Sequence, residues 1–137
     1  MESALLRALR PGSRTVLCHP ESSEDAVDLA RRGFRLMIVH EEDSFLKAVR
    51  QELRAGGLAS LLMGSAQSAV DQVPSLAKGF YELVLLGSRS RLSIGQMVFA
   101  LGVGGLLVKP SDQGEEDLAG LQPVKLPAGY VGGRVGP

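Results

Sequence analysis

Side chains capable of acid–base or metal-binding chemistry stand at the ends of two predicted strands. Cys18 and His19 close one apolar run, and His40 and Glu41 follow the next. Because the carboxyl ends of parallel strands meet at one edge of a sheet, these four side chains are predicted to share that edge. Thiolate and imidazole are ligands for zinc, and a thiol beside an imidazole is a potential nucleophile.

The spacing of these residues argues against both chemistries. Cys18 and His19 are neighbours along a strand, so their side chains are predicted on opposite faces. The sequence has no C-x-x-C or H-x-x-x-H pattern, and no oxyanion loop or orienting acid can be placed beside Cys18. We therefore predict no metal site and no catalytic residue here, but a small buried cysteine and two histidines near the surface.

Composition restricts the class of protein further. The chain has 137 residues, 45% of them hydrophobic, which is enough for the core of one domain. Its 15 basic and 15 acidic residues cancel, and a nucleic-acid partner would favour a basic surplus, so none is expected. No apolar run is long enough for a membrane span, and the N-terminus does not resemble a signal peptide. A single cysteine favours a reducing compartment, so a cytoplasmic location is expected.

Apolar runs and amphipathic stretches alternate along the chain. This alternation predicts βαβ units and a mainly parallel sheet with helices on both faces. Four phenylalanines fall in predicted elements and are expected in the core: Phe34, Phe45, Phe80 and Phe99. Strands are predicted at residues 15–18, 35–39, 58–63, 80–86 and 106–108, helices at 23–32, 43–55 and 92–101, and a short helix or loop at 65–73.

The character of the chain changes at residue 110. Residues 1–110 are predicted to form the α/β domain, and residues 111–137 a Gly/Pro-rich tail or the start of a linker. The tail contains an acidic cluster at residues 115–117, and an edge strand is a weaker expectation at residues 124–126 and 130–131. A sheet of about five strands, shortened after strand five, would expose that strand's edge. A protein partner or self-association is therefore expected through that side.

The basic-polar loop SRSR, residues 88–91, follows the fourth predicted strand. Arginines in such a loop could hold a phosphate or an acidic segment of a partner. A solvated loop is the more ordinary interpretation and the one predicted here.

Four segments in this order resemble the class I methyltransferase-like Rossmann fold, whose members bind S-adenosylmethionine (SAM). They are LRPGSRTVL, AVDLARRGF, GFYELVLLGS and ALGVGGLLVKP, and together they extend over about the first 110 residues. The resemblance implies a three-layer α/β domain with a cofactor crevice at the carboxyl ends of its strands.

The resemblance also implies where the cofactor contacts would be, and this chain departs from the pattern at each of them. After strand one, the family's acidic residue and glycine-rich turn are replaced by Cys18, His19, Pro20, Glu21, Ser22 and Ser23. His40 stands where the family has an acid for the ribose, with Glu41 one residue along, and Ser65 replaces the aspartate of a Gly-Asp-Ala motif. Glycines allow the backbone to approach a ligand closely, whereas proline removes a backbone donor. No cofactor is therefore expected in this domain.

A non-catalytic interaction or scaffold domain is the leading hypothesis. The alternatives are a diverged SAM-dependent methyltransferase and a small nucleotide-binding module at the His40–Glu41 edge. FYELVLLGSRSRLS, followed by GGLLVKP, also resembles the N-terminal domain of the anamorsin family of cytosolic iron–sulfur cluster assembly factors. That resemblance implies a redox protein as the partner, while the cysteine-rich cluster-binding region of the family is not in this sequence.

Overall fold

The computed structural model describes residues 2–111, 118 and 120–137, and its strands join in one seven-stranded sheet. The strands lie in the order β3-β2-β1-β4-β5-β7-β6. Their bounds are β1 Arg14–Cys18, β2 Arg35–His40, β3 Leu62–Gln67, β4 Tyr81–Leu86, β5 Leu101–Pro110, β6 Leu121–Pro123 and β7 Tyr130–Val135. The helices are α1 Ser3–Ala8, α2 Ser23–Arg31, α3 Asp43–Ala55 and α4 Ile94–Val98, with a 3₁₀ turn at Ala59–Leu61.

The first five strands are parallel, and β7 runs antiparallel between β5 and β6. Strand β1 is the centre of this arrangement: Cys18 lies opposite Val39 of β2 on one side and Leu86 of β4 on the other. Strands β2 and β3 lie on one side of β1, and the chain then crosses to the other side of β1, where β4 and β5 lie. The carboxyl ends of β1 and β4 therefore flank the topological switch point, where open α/β sheets bind ligands.

Alternate residues of the central strands enter two separate cores, one on each face of the sheet. Leu17 and Leu85 pack with helices α1, α2 and α3, while Val16 and Val84 pack with α4 and the segments beside it. The apolar positions of α3, namely Leu46, Val49 and Leu53, recur at helical spacing and are buried, which explains why this helix was readable from sequence. These two layers of helices confirm the three-layer α/β architecture.

Strand β3 lies four residues later than predicted. The predicted start, Leu58, precedes the 3₁₀ turn, and the strand begins only at Leu62. Leu58 and Leu61 are apolar because they pack against the core from this turn, so the apolar run was misleading. Ser65 consequently lies within β3, opposite Ile38, and does not follow the strand as predicted.

The sheet continues beyond residue 110 and is not shortened after strand five. Five residues of β5, Leu106 to Pro110, pair with β7, which also pairs with β6. The edge of β5 is therefore covered, and the prediction that this edge is exposed was wrong. The weaker expectation of a strand at residues 130–131 falls within β7, whereas residues 124–126 lie outside any strand. The acidic cluster at residues 115–117 lies outside the described residues.

Two of the four phenylalanines predicted in the core are exposed. Phe34 is fully buried, and Phe45 is half-buried beneath a histidine, but Phe80 and Phe99 are 43% and 54% exposed. Phe80 immediately precedes β4 and Phe99 follows α4, so both lie at the amino edge of the sheet beyond the strands that cover the core. None of the described helices combines the length and hydropathy of a membrane span.

Candidate functional site at the carboxyl edge of the sheet

Cys18 ends β1 in the interior of the protein. Its side chain is fully buried in the α4-side core, and this burial raises the pKa of the thiol to about 12. A thiol with such a pKa stays protonated at neutral pH, and the thiolate is the nucleophilic and metal-binding form. This agrees with the sequence-based interpretation of a small buried cysteine, and the described residues include no group of three metal-ligating side chains.

His19 makes the turn that a glycine would ordinarily make. Its φ of +48° is left-handed, and it is the one described non-glycine residue with a positive φ. The backbone N–H of His19 donates to Val39 O at 2.8 Å, and its ring Nε2 lies 3.0 Å from Ser68 O, beyond the end of β3. Because that partner is a carbonyl oxygen, Nε2 carries the proton and donates. The ring therefore bridges the ends of β1 and β3.

His40 ends β2 and is held from two sides. Its Nδ1 accepts a hydrogen bond from the backbone N–H of Glu42 at 3.0 Å, and its ring stacks on Phe45 with centroids 3.9 Å apart. Burial lowers the pKa of His40, and the neighbouring His19 ring, 6.3 Å away, lowers it further. Both effects, and the bond from Glu42, favour the neutral imidazole.

The two histidines are therefore buried, with 2% and 4% exposure, and the prediction that they lie near the surface was wrong. The His19 ring is held by its contact with Ser68 O beyond the end of β3, and the His40 ring is covered by Phe45 of α3. The two histidine rings lie 6.3 Å apart at the carboxyl ends of β1 and β2. Sequence spacing gave no signal for Ser68, whose carbonyl oxygen is the partner of His19.

The loop after β4, residues 87–91, closes over the same edge. Its Arg89 pairs with the carboxylate of Glu41, and its Ser88 hydroxyl donates to the carboxylate of Glu21. The loop is thus bonded to the turns after β1 and β2, not merely solvated as predicted. The exposed Arg89–Glu41 pair stabilises the fold by no more than about 1 kcal/mol. The pair matters for the site because the Glu41 carboxylate, the acid nearest the end of β2, is already bonded to Arg89.

Gly87 allows this closure. Its backbone N–H donates to Cys18 O at 2.8 Å, and a Cβ at this position would lie 2.2 Å from His19 O. The turn after β1 and the turn after β4 are therefore in direct backbone contact. No side chain larger than hydrogen fits between them without movement.

The remaining predicted positions have structural roles. Pro20 is buried beneath the turn. Ser22 is the N-cap residue of α2, but its side chain makes no capping hydrogen bond. Ser65 lies within β3, so it does not join His19 and His40 at the strand ends. Of the predicted positions, the structure brings together His19 and His40, with Glu41 next in the chain, whereas Cys18 lies in the α4-side core.

Solved structures with a similar fold are known, although no protein-family model and no curated protein matches the sequence. A protein from Corynebacterium glutamicum is 17% identical, with a TM-score of 0.65, over 92% of this chain and 74% of its own. An S-adenosylmethionine-dependent methyltransferase from Mesorhizobium loti is 18% identical, with a TM-score of 0.58, over 77% of this chain and 50% of its own. The geranyl diphosphate C-methyltransferase of Streptomyces coelicolor A3(2) is 16% identical, with a TM-score of 0.60, over 77% of this chain and 42% of its own.

These identities are too low to transfer an activity, and the chain spans about half the length of the two methyltransferases or less. The likeness in fold covers 77% or more of this chain in each of the three structures. The chain therefore has the Rossmann-like fold of class I SAM-dependent methyltransferases.

Proposed function

We propose that this chain is a non-catalytic methyltransferase-fold domain that binds a protein partner and does not use SAM. The observation that carries the proposal is the position of the His19 ring. It is buried at the carboxyl ends of the strands with Nε2 bonded to Ser68 O, at the edge of the sheet where open α/β folds bind ligands. A cofactor would have to displace a buried ring and leave the Ser68 carbonyl without its donor, which costs about 1–3 kcal/mol.

Two further features support the same inference. Glu41, the acid closest to the end of β2, is paired with Arg89, and the His40 ring covers the strand end beside it. Gly87 brings the backbone of the turn after β4 into direct contact with that of Cys18 and His19. We infer that these residues do not fit an adenosyl group.

A calorimetric titration of the intact chain with SAM, and separately with its demethylated product, tests this half of the proposal. We expect no binding heat with either compound, because the His19 ring is buried and bonded to Ser68 O and Glu41 is paired with Arg89. The Arg89→Gln variant, which frees Glu41 but leaves His19 in place, is expected to behave in the same way. Micromolar binding to the wild-type chain would contradict the proposal and favour a diverged SAM-dependent methyltransferase.

That diverged methyltransferase is the second candidate function. It is favoured by the similarity to solved methyltransferases, which extends over three quarters of the chain. A small nucleotide-binding module at the His40–Glu41 edge is less well supported, because both side chains are engaged within the protein. The same titration extended to adenine nucleotides distinguishes it.

The amino edge of the sheet supports the protein-binding half of the proposal. Phe80, Phe99 and Val103 are 43%, 54% and 76% exposed there, and the backbone bond from Gly79 N–H to Phe99 O brings their segments together. Cations flank these side chains: the Arg14 guanidinium lies 4.9 Å from the centre of the Phe80 ring. We name these three apolar residues the amino-edge patch.

Beside the patch, Arg10, Arg14 and Arg134 line a cavity of about 810 Å³ together with a single acid, Glu82. Exposed apolar side chains beside arginines are typical of interfaces, where aromatic residues and arginine are enriched. The partner is therefore expected to present apolar side chains among acidic ones.

We expect a synthetic peptide of alternating leucine and aspartate to bind the intact chain, and the double variant Phe99→Ser/Val103→Ser to bind it about tenfold more weakly. Fluorescence anisotropy of the labelled peptide measures this. Met63→Ser, which changes an exposed apolar side chain on β3, away from the patch, is the control. Equal affinities in the double variant and the wild-type chain would contradict the assignment of the amino-edge patch.

The narrower hypothesis, an anamorsin-type N-terminal domain, rests on the segment FYELVLLGSRSRLS followed by GGLLVKP. It predicts an iron–sulfur assembly partner and a cysteine-rich segment encoded downstream of residue 137. Sequencing of the transcript beyond that position tests it. A reading frame that lacks such a segment would contradict it.

A further inference from the structure

The cavity beside the amino-edge patch lies at the opposite end of the sheet from His19 and His40. Its volume is about 810 Å³, within the range of small-molecule sites, and residues of α1, β1, β4, β5 and β7 line it. Open α/β sheets bind their usual ligands outside the carboxyl ends of the strands. A ligand in this cavity is therefore not one that the fold by itself predicts.

A bulge in β5 forms one wall of the cavity. The ladder between β5 and β4 passes directly from Leu101 to Leu106, and the ladder with β7 begins only at Leu106. Residues 102–105 therefore have no strand partner in the described part of the sheet, and all four line the cavity. Three of them are glycines, and Gly104 has a φ of +80°, which a residue with a Cβ rarely adopts. The wall is consequently mostly backbone, which a ligand can approach closely.

Two arginines are held beside this wall by backbone carbonyl groups. Arg134 of β7 donates from Nη1 to Gly104 O at 3.0 Å, and Arg14 of β1 donates from Nε to Phe80 O at 2.7 Å. A guanidinium group has five N–H donors, so each arginine keeps further donors after these bonds. Both groups are therefore fixed in position and can still donate to a ligand.

The charges around the cavity do not balance. Glu82 is the only acid among the described residues that line it, and its carboxylate already accepts from the Arg14 backbone N–H at 3.0 Å and lies 3.6 Å from the Arg14 guanidinium. Neither Arg10 nor Arg134 forms an ion pair with any described residue. Two positive charges at the cavity therefore remain uncompensated, one on Arg10 and one on Arg134.

We propose that this cavity binds a small organic phosphate monoester, whose phosphate is held by Arg10, Arg14 and Arg134. A phosphate monoester has a charge of about −1.5 to −2 at pH 7 and three acceptor oxygens, so it matches two uncompensated arginines, whereas a carboxylate matches only one. The body of the ester contacts the apolar part of the lining, which includes the exposed Ala8 and Val103. The inference goes beyond the proposed function, because it requires neither a protein partner nor the carboxyl edge of the sheet.

Titration calorimetry of the intact chain with phenyl phosphate, inorganic phosphate, benzoate and phenol tests the proposal. We expect phenyl phosphate to bind at least about tenfold more tightly than benzoate, and phenol to give no binding heat. Inorganic phosphate should bind more weakly than phenyl phosphate because it lacks the apolar body, and added salt should weaken the binding of both. No binding of phenyl phosphate, or an affinity equal to that of benzoate or of inorganic phosphate, would overturn the proposal.

Two double variants with the same change in net charge locate the binding. Arg10→Gln/Arg134→Gln should lower the affinity for phenyl phosphate at least about tenfold, because it removes both uncompensated charges. Arg31→Gln/Arg32→Gln removes two exposed positive charges at the end of α2 that do not line the cavity, and should leave the affinity unchanged. An equally large loss in this control would show that general positive charge holds the phosphate, and would overturn the assignment.

NMR of the ¹⁵N-labelled chain identifies the occupied edge of the sheet independently of the calorimetry. Phenyl phosphate should shift the amide resonances of Gly104 and Gly105 in the bulge and leave that of Gly87, at the carboxyl edge, unchanged. Shifts at Gly87 without shifts in the bulge would place the ligand at the other end of the sheet and overturn the assignment.

The variant Phe99→Ser separates this inference from the proposed function. Phe99 belongs to the amino-edge patch but does not line the cavity. Its replacement should weaken binding of the leucine–aspartate peptide and leave the affinity for phenyl phosphate unchanged. Equal losses for the two ligands would contradict a phosphate site confined to the cavity, whereas a loss for the peptide alone supports it.

Discussion

Gly87→Ala is expected to destabilise the protein by about 3 kcal/mol, a large part of the stability of a domain of this size. The added Cβ would lie 2.2 Å from His19 O and 3.0 Å from Cys18 O, and both atoms belong to the backbone. A backbone carbonyl cannot rotate away as a side chain can, so the turns after β1 and β4 must separate. Urea unfolding monitored by circular dichroism measures the change.

Gly95→Ala is the matched control for that variant. A Cβ at Gly95 meets no atom within 4 Å, and the residue lies in α4. Alanine is favoured over glycine in a helix by about 0.8–1.0 kcal/mol, so this substitution should raise the unfolding midpoint slightly. If Gly87→Ala unfolded at the wild-type urea concentration, the close contact between the two turns would be refuted.

His19→Ala is expected to cost about 3 kcal/mol, from the loss of a buried ring and of the donor to the Ser68 carbonyl. His19→Gly should cost about 1 kcal/mol less than His19→Ala, because glycine adopts the φ of +48° without strain. The same urea experiment compares the two variants. Equal stabilities for Ala and Gly would contradict a left-handed backbone at this position.

The His19 variants also change the titration of His40. In the wild-type protein the pKa of His40 is below its usual value of 6.5, first because of burial and then because of His19. Its unfolded state therefore binds protons more readily, so this contribution to stability is complete above about pH 6.5 and decreases as the pH falls below it. Removal of His19 should raise the pKa of His40, measured by NMR, and reduce this loss in acid. An unchanged pKa would show that the two rings do not interact.

The local sequence pattern was sufficient to predict the elements that have a continuous apolar run or a periodic apolar face. Strands β1 and β2 are continuous apolar runs, and α3 has Leu46, Val49 and Leu53 on one face, so each was predicted within a residue or two. β3 has the sequence LMGSAQ, which is only partly buried at the edge of the sheet, and its weak pattern could not compete with the apolar residues of the preceding turn. Strand position at an edge is set by pairing with β2, which is a long-range contact.

The strands after residue 110 were difficult to predict from the sequence for a related reason. Gly132 and Gly133 of β7 disfavour a strand by propensity, yet a Cβ on Gly132 would lie 2.3 Å from Leu107 O of β5. Glycine is present there because two backbones approach closely. In sequence, the same residue is equally typical of a flexible tail. Only the pairing of β7 with β5 distinguishes the two interpretations.

The sequence by itself determined the order of the first five strands and of helices α2 and α3 between them, the absence of the glycine-rich turn and the burial of Cys18, because each depends on residues close together in the chain. The tertiary structure decided what replaced the glycines. The His19 ring, the Ser68 carbonyl and the Arg89–Glu41 pair join residues up to 49 positions apart, and their contacts exist only once the strand ends converge. Electrostatic and packing interactions at such an edge follow from distances in space, which sequence separation does not encode.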